Sequence, residues 1–228
     1  MSTTTYRIQS DGMAAAILGS RGAVKDDIQA RTRTRLVFSN RNDYFPRSQQ
    51  RVLGIFCDES EGIMLALEAI LPKFMEVAED ERRSPPAKGG AKGKSDEEML
   101  AKVPGEYVFR LCISQHIASV LIGSGGSNIK EIRQESGAKV LIGDDTVQGH
   151  RLVRVIGPSK EILRALRLLN EYVQRDAGSE EFFSSYSSVI NFGLHREADS
   201  HHRAGASNGA DRGQRDGGDR RGITCYHV

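Results

Sequence analysis

Tryptophan is absent from this chain and aromatic residues make up only 6% of it, so any core must be aliphatic. Over 228 residues, that composition suits two small compact modules better than one large aromatic-rich core. Cysteine is scarce too. Cys57, Cys112 and Cys225 are odd in number and widely spaced, which suggests neither a disulfide framework nor a metal site. No Asn-x-Ser/Thr glycosylation acceptor occurs. The N-terminal apolar run, Met13 to Leu18, is too short for a secretory h-region, and nothing approaches a membrane span. Charge of one sign is also lacking: the net value is +2, so bulk electrostatics neither demands nor excludes a polyanionic partner. These absences predict a soluble, intracellular protein.

Two stretches lack any apolar period. Residues 82–102, with Pro85-Pro86, Gly89-Gly90 and Lys88, Lys92 and Lys94, have the composition of a flexible basic linker. Residues 177–228 are predicted to be largely disordered, because from Ala198 to Arg221 they hold almost no large apolar residue. That leaves residues 3–81 and 103–176 as folded domains.

These two domains repeat one another. The second reads as a β-rich run at Tyr107–Ile113, a short apolar stretch at Ile117–Ile122, and a glycine loop at Gly123-Ser124-Gly125-Gly126. A helix carrying Ile129 and Ile132 follows, stopping at Gly137, then strands at Val140–Ile142 and Leu152–Ile156 with Gly143 to Gly149 as the loop between. Ile162, Leu163, Leu166, Leu169 and Val173 mark a last helix. The first domain gives the same β-α-(Gly loop)-α-β-β-α order around Gly19-Ser20-Arg21-Gly22. Its strands fall near Tyr6, at Leu36–Phe38 and at Val52–Phe56, and Pro72 is expected to kink or end its closing helix. The fold class is therefore α+β: in each module, a three-stranded sheet with three helices.

Paired glycines let a loop turn tightly and let a ligand backbone come close. The next helix starts at the loop, so its free N–H groups and positive dipole end suit a phosphate. A single Gly-x-x-Gly is also an ordinary helix–helix turn. Its recurrence at the same place in a repeated six-element order favours the binding role.

Both segments resemble type I KH domains, over nearly all of residues 4–175. The residues that carry this are Leu121-Ile122-Gly123-Ser124-Gly125-Gly126-Ser127-Asn128-Ile129-Lys130-Glu131-Ile132 and Ser136-Gly137-Ala138-Lys139-Val140. The first segment is similar to the Nova-type and poly(C)-binding KH proteins in its longer loop, Ser39 to Pro46, which leads into Arg51-Val52. The resemblance implies a tandem RNA-binding protein, each module gripping about four unstacked nucleotides. The phosphate clamp would be Gly19, Ser20, Arg21 and Gly22 in one module and Gly123, Ser124, Gly125 and Gly126 in the other. The family usually places a lysine inside this loop, where Ser20 and Ser124 stand, with Arg21 partly compensating. Lys25 replaces an apolar helix residue and Arg33-Thr34 replaces Gly-Ala, so the first module is expected to be the weaker binder.

Arg35 and Lys139 each lie 16 residues after the first glycine of their loop and begin the next strand. Arg51 and Arg151 begin the strand after that. By resemblance these four are base-reading positions, and guanidinium donors suit a pyrimidine-rich, C-containing target. The alternative is that they are solvated strand-edge charges. Ala118, Val120, Leu121, Ile129 and Lys130 would line the groove, most of the apolar ones also serving as core.

Other signals are weaker. Asn128 stands where a dinucleotide fingerprint needs its third glycine, and neither loop is followed by a Walker lysine. The six histidines show no ligand spacing, and no nucleophile–base arrangement exists, so no cofactor, metal or catalytic residue is expected. Arg212, Arg215 and Arg220-Arg221 form a sparse Arg-Gly tail that adds RNA contacts or merely solubilises. Phe182, Phe183, Tyr186 and Phe192 pack on the second module or bind a protein partner. Cys225-Tyr226-His227-Val228 has a prenylation-like layout that His227 makes a poor one. The expected function is binding of single-stranded RNA, or single-stranded DNA, in splicing, stability or translation of messages, in the nucleus or cytoplasm. The competing class is an interaction scaffold or an accessory subunit of an RNA-processing complex.

Overall fold

The computed structural model describes residues 2–7, 11–39, 45, 51–83, 103–147, 150–175 and 224–226. The first half runs β1 (Ser2–Arg7), α1 (Asp11–Leu18), a 3₁₀ turn (Ser20–Gly22), α2 (Ala23–Thr32), β2 (Arg35–Phe38), β3 (Val52–Cys57) and α3 (Ser60–Arg83). The second half repeats that order with β4 (Tyr107–Ser114), α4 (Gln115–Ile122), a 3₁₀ turn (Ser124–Gly126) and α5 (Ser127–Ser136). It closes with β5 (Lys139–Val147), β6 (His150–Gly157) and α6 (Ser159–Arg175). A short strand, β7 (Thr224–Tyr226), completes the list.

Each half folds its strands into a three-stranded antiparallel sheet, β2-β3-β1 and β4-β6-β5. The two sheets do not stand apart. β1 pairs antiparallel with β4 at Tyr6 and Leu111, giving the continuous order β2-β3-β1-β4-β6-β5. Left alone, β1 and β4 would each be an edge strand with a row of unpaired backbone groups, and the Tyr6–Leu111 bridge pairs part of both edges. β7 runs parallel to β1 at Ser2–Thr4, beyond the end of the β4 pairing. Two modules free to move about a linker are therefore replaced by halves that share one sheet.

Period-2 alternation sorts the strand residues between the two faces. Leu36, Phe38, Leu53, Ile55, Leu111, Ile113, Val140, Val153 and Val155 join buried residues from all six helices in one core that runs through both halves. The other face carries a smaller cluster of Val37, Val52, Phe56 and Cys112 with Leu152, covered by Phe45. Among the described residues, the helices pack on one face. The amphipathic face of α6 supplies Ile162, Ala165, Leu166, Leu169 and Val173, at the spacing read from the sequence. Tyr107 of β4 donates its hydroxyl to the Met13 sulfur of α1 at 3.4 Å, a contact across the seam. Arg167 of α6 pairs with Glu61 and Glu68 of α3 at 2.9 and 3.5 Å. All three side chains are about half exposed, so this network is worth no more than ~1 kcal/mol per pair.

Three expectations change. Helix α3 continues through Pro72 to Arg83 instead of ending there. The proline removes one backbone donor, but Glu68, four residues back, is on the exposed side, where water can take its carbonyl. Arg82 and Arg83 thus belong to the helix and not to the linker, and residues 84–102 lie outside the described residues. β5 runs on to Val147, where a loop from Gly143 was expected. A register shift between Ile142 and Thr146 lets the strand re-pair at Thr146–Arg151 and Val147–His150. In the tail, Thr224–Tyr226 is a strand. Phe182, Phe183, Tyr186, Phe192 and the Arg-Gly segment lie outside the described residues.

Candidate nucleic-acid interface

The two glycine loops have the same backbone. Gly19 (φ 67°, ψ −173°) corresponds to Gly123 (φ 70°, ψ 178°), and Arg21 (φ 54°, ψ 24°) to Gly125 (φ 58°, ψ 18°). Gly22 (φ 88°, ψ 1°) corresponds to Gly126 (φ 79°, ψ 23°). The first glycine is required twice over, by its positive φ and by space. A Cβ on Gly19 would lie 2.4 Å from a Val24 methyl, and one on Gly123 would lie 2.6 Å from the Asn128 amide carbon. At Gly125 a Cβ would meet nothing within 4 Å, and Arg21 already holds that conformation in the other loop.

Ser20, Arg21, Ser124 and Gly125 all face solvent. No side chain caps the N-terminus of α2 or α5, where the helices leave the loops. First-turn N–H groups and the positive end of the dipole therefore sit beside an exposed, close-approach backbone, which is the chemistry of an anion site. Arg21 adds a full positive charge to the first loop that the second lacks.

Each loop is braced from behind by the fifth residue after its first glycine. In the second half Asn128 donates from Nδ2 to the Val120 carbonyl at 2.8 Å, tying the start of α5 to the last turn of α4. In the first half Val24 fills that place by packing. Sequence reading placed Asn128 within the family-like run and against a dinucleotide fingerprint but gave it no role, and the signal that could have found one was its equivalence to Val24. Asn128→Ala is expected to cost on the order of 1 kcal/mol and to loosen the second loop. Asn128→Val should regain most of that stability, which thermal denaturation of the two variants would check.

The four base-reading candidates divide by face. Arg35 and Lys139 occupy equivalent places, opposite Phe56 and Ile156 respectively, and both are exposed. Arg35 shares its face with Val37 and Phe56, on the side away from the helices, and its guanidinium sits 4.6 Å from the centre of the Phe56 ring. Lys139 has no aromatic partner at the matching position. Phe56 was missed by sequence reasoning, which treated it only as a strand residue.

Arg51 and Arg151 are half-buried, in step with the helix-side residues of their strands. Arg51 donates from Nε and Nη2 to the Ser39 carbonyl, and its guanidinium lies 5.5 Å from the Phe38 ring centre. Arg151 donates from Nε to the Gly143 carbonyl at 2.6 Å and pairs with Asp144 at 3.2 Å. Ser39 and Gly143 are both 20 residues past the first glycine of their loops, so the two arginines make one repeated contact. Arg51 holds the backbone just past the end of β2, and Arg151 holds it at the register shift within β5. Some guanidinium donors remain for a ligand, but part of the role of these residues is structural. Arg51→Ala and Arg151→Ala are each expected to lower stability by about 1–2 kcal/mol, besides any effect on ligand preference.

In the groove, Ala118 and Leu121 are fully buried and lie beneath the surface as support, while Ile129 is 7% exposed. Val120 is half-buried and Lys130 exposed, so these two can meet a ligand. Lys25 of the first half stands where Ile129 stands in the second, each six residues past the first glycine, and it is half-buried. Arg33 ends α2 in the left-handed conformation that Gly137 takes at the end of α5. Thr34, where Ala138 stands in the second half, is buried with its hydroxyl 2.7 Å from that of Thr32. The departures at 33 and 34 are thus absorbed locally without altering the loop.

Residues 108–171 match the family model described as KH domain. The RNA-binding protein Pasilla of Drosophila melanogaster is 25% identical over 169 residues, which cover 73% of this chain. The matched chain spans only 20% of that relative's length. The solution structure of the first KH type I domain from human Vigilin is 18% identical at a TM-score of 0.29, covering 41% of this chain and 95% of that domain. Dim2p from Pyrococcus horikoshii OT3 is 17% identical at a TM-score of 0.26, covering 84% of this chain and 98% of that one. Residues 108–171 of the second half are thus similar to a KH domain.

Proposed function

We infer that the chain binds single-stranded RNA through both glycine loops, its first half being a second, diverged KH module. The observation that carries this reading is the match of backbone angles between the loops, each ending at a helix N-terminus with no side-chain cap. Such a site grips the sugar–phosphate backbone, leaving sequence choice to side chains around the groove. Arg35, Lys139 and the uncommitted donors of Arg51 and Arg151 supply hydrogen bonds suited to pyrimidine acceptors, hence a C-rich preference. The name of the relative Pasilla supports RNA as the ligand. A noncatalytic role in splicing, stability or translation of messages, in nucleus or cytoplasm, follows as the functional setting.

The test is selection of RNA from a random pool by the purified chain. Enrichment of short C-rich motifs supports the reading. A pool with no enriched sequence, together with no measurable binding to any single strand, would point instead to an interaction scaffold.

A further inference from the structure

An antiparallel sheet with one solvated face shows alternating burial along each strand. β6 alternates in this way from Leu152 to Gly157. β3 and β4 do not: every residue of Val52–Cys57 and of Tyr107–Ser114 is buried. Tyr107, Phe109, Leu111 and Ile113 belong to the helix-side core, so Val108, Arg110, Cys112 and Ser114 point to the opposite face. All four are at most 5% exposed. Phe45 covers part of this face, yet it is itself buried, so it lies beneath a further layer. The described helices, packed on the other face, do not supply that layer.

The covered patch is charged as well as apolar. Arg110 stands directly opposite Arg154 in the β4–β6 ladder, on the same face as Cys112. Like charges so placed repel, and a guanidinium as buried as that of Arg110 is stable only against anionic acceptors. The cover must therefore be apolar and acidic together. The chain end returns to this place, because β7 pairs with β1, the strand between β3 and β4. Residues 176–223, which join α6 to β7, contain Glu180-Glu181-Phe182-Phe183, then Tyr186 and Phe192. Residues 84–102 hold only Met99 and Leu100 as large apolar side chains, and the β2–β3 connection adds only Tyr44 to Phe45. We propose that residues 180–192 of this chain dock on the open face of the sheet. Phe182 and Phe183 lie on the apolar cluster around Cys112, and Glu180 and Glu181 answer Arg110 and Arg154. This docking goes beyond the RNA-binding reading and does not depend on it.

The two buried free thiols provide the test, since Cys112 lies under the cover and Cys57 belongs to the helix-side core. Maleimide labelling of the full chain, followed cysteine by cysteine by mass spectrometry, reads each face separately. In the F182A/F183A variant Cys112 is expected to react at least about tenfold faster than in the wild type, with Cys57 unchanged. An unchanged Cys112 rate would overturn the proposal, because the cover would then belong to the loop around Phe45 or to residues 84–102. If Cys57 accelerates by the same factor, the whole sheet has opened, and the E180K/E181K variant decides. Faster labelling of Cys112 alone in that variant supports the docking, and no change there overturns it. In the wild type the Cys112 rate should not vary with chain concentration. Acceleration on dilution would mean that a second copy supplies the cover, and the proposal would fall.

Discussion

Replacing Ser20, Arg21, Ser124 and Gly125 together by Asp is expected to abolish RNA binding while leaving the fold in place. The substitutions set negative charge where each loop would receive a phosphate, and they remove the Arg21 cation. Loss of one charge-assisted contact per loop corresponds to about 3–6 kcal/mol, a factor of roughly 10² to 10⁴ in affinity. Stability should barely change, because all four positions are exposed and touch none of the shared core. Surface substitutions of this kind stay within about 0.5 kcal/mol, or a few degrees in Tm. Gly125 has a φ of 58°, where side chains are seldom found. Arg21 holds that conformation at φ 54°, a Cβ at 125 meets nothing, and Asp tolerates the left-handed region better than most residues. Acidic groups beside the N-termini of α2 and α5 are, if anything, favourable to the helices. Binding by fluorescence anisotropy and melting by circular dichroism separate the two effects. Full retention of affinity with an unchanged melting curve would remove the loops from any RNA-binding role.

The order of elements in each half was legible in the sequence because it is written in features that depend on local chemistry. Apolar periods of two and 3.6 placed the strands and helices, and the glycines at 19, 22, 123 and 126 marked positions that need positive φ. The seam between the halves was not legible. A single pairing at Tyr6 and Leu111 leaves no pattern in either strand, since every strand of a sheet alternates whether or not it lies at an edge. The linker composition of residues 82–102 was read as freedom between modules, but connection chemistry says nothing about whether the connected surfaces adhere. Pro72 misled for a related reason: the cost of an interior proline depends on whether the orphaned carbonyl meets water, which needs the helix face. At the candidate site, sequence position correctly paired Arg51 with Arg151 and Arg35 with Lys139. It could not reveal that the first pair is held by the carbonyls of Ser39 and Gly143, while Arg35 lies against Phe56. Hydrogen bonds to backbone carbonyls carry no residue signature on the acceptor side, so only the folded chain discloses them.

Leu111→Ala is expected to weaken the whole described fold and not the second half alone. Leu111 is fully buried, lies on β4 opposite Tyr6 of β1, and belongs to the core that contains helix residues from both halves. Truncating such a side chain removes its burial energy and leaves a cavity, at about 2–5 kcal/mol. In two modules on a tether, that loss would fall on residues 103–175 and produce two thermal transitions, the first-half one unmoved. In one cooperative unit it lowers a single transition, because β3 and α3 contribute to the same buried core as β4, β6 and α6. Calorimetry on the wild type and the variant distinguishes these, and hydrogen exchange locates the effect. Amides of β3 should lose protection by the same factor as those of β6. Arg167→Ala serves as the contrast, since it removes only the half-exposed contacts to Glu61 and Glu68 and should cost no more than ~1 kcal/mol. If Leu111→Ala moves a second-half transition while β3 keeps its protection, the halves unfold separately. The Tyr6–Leu111 pairing would then be a contact between two folding units and not part of one cooperative structure.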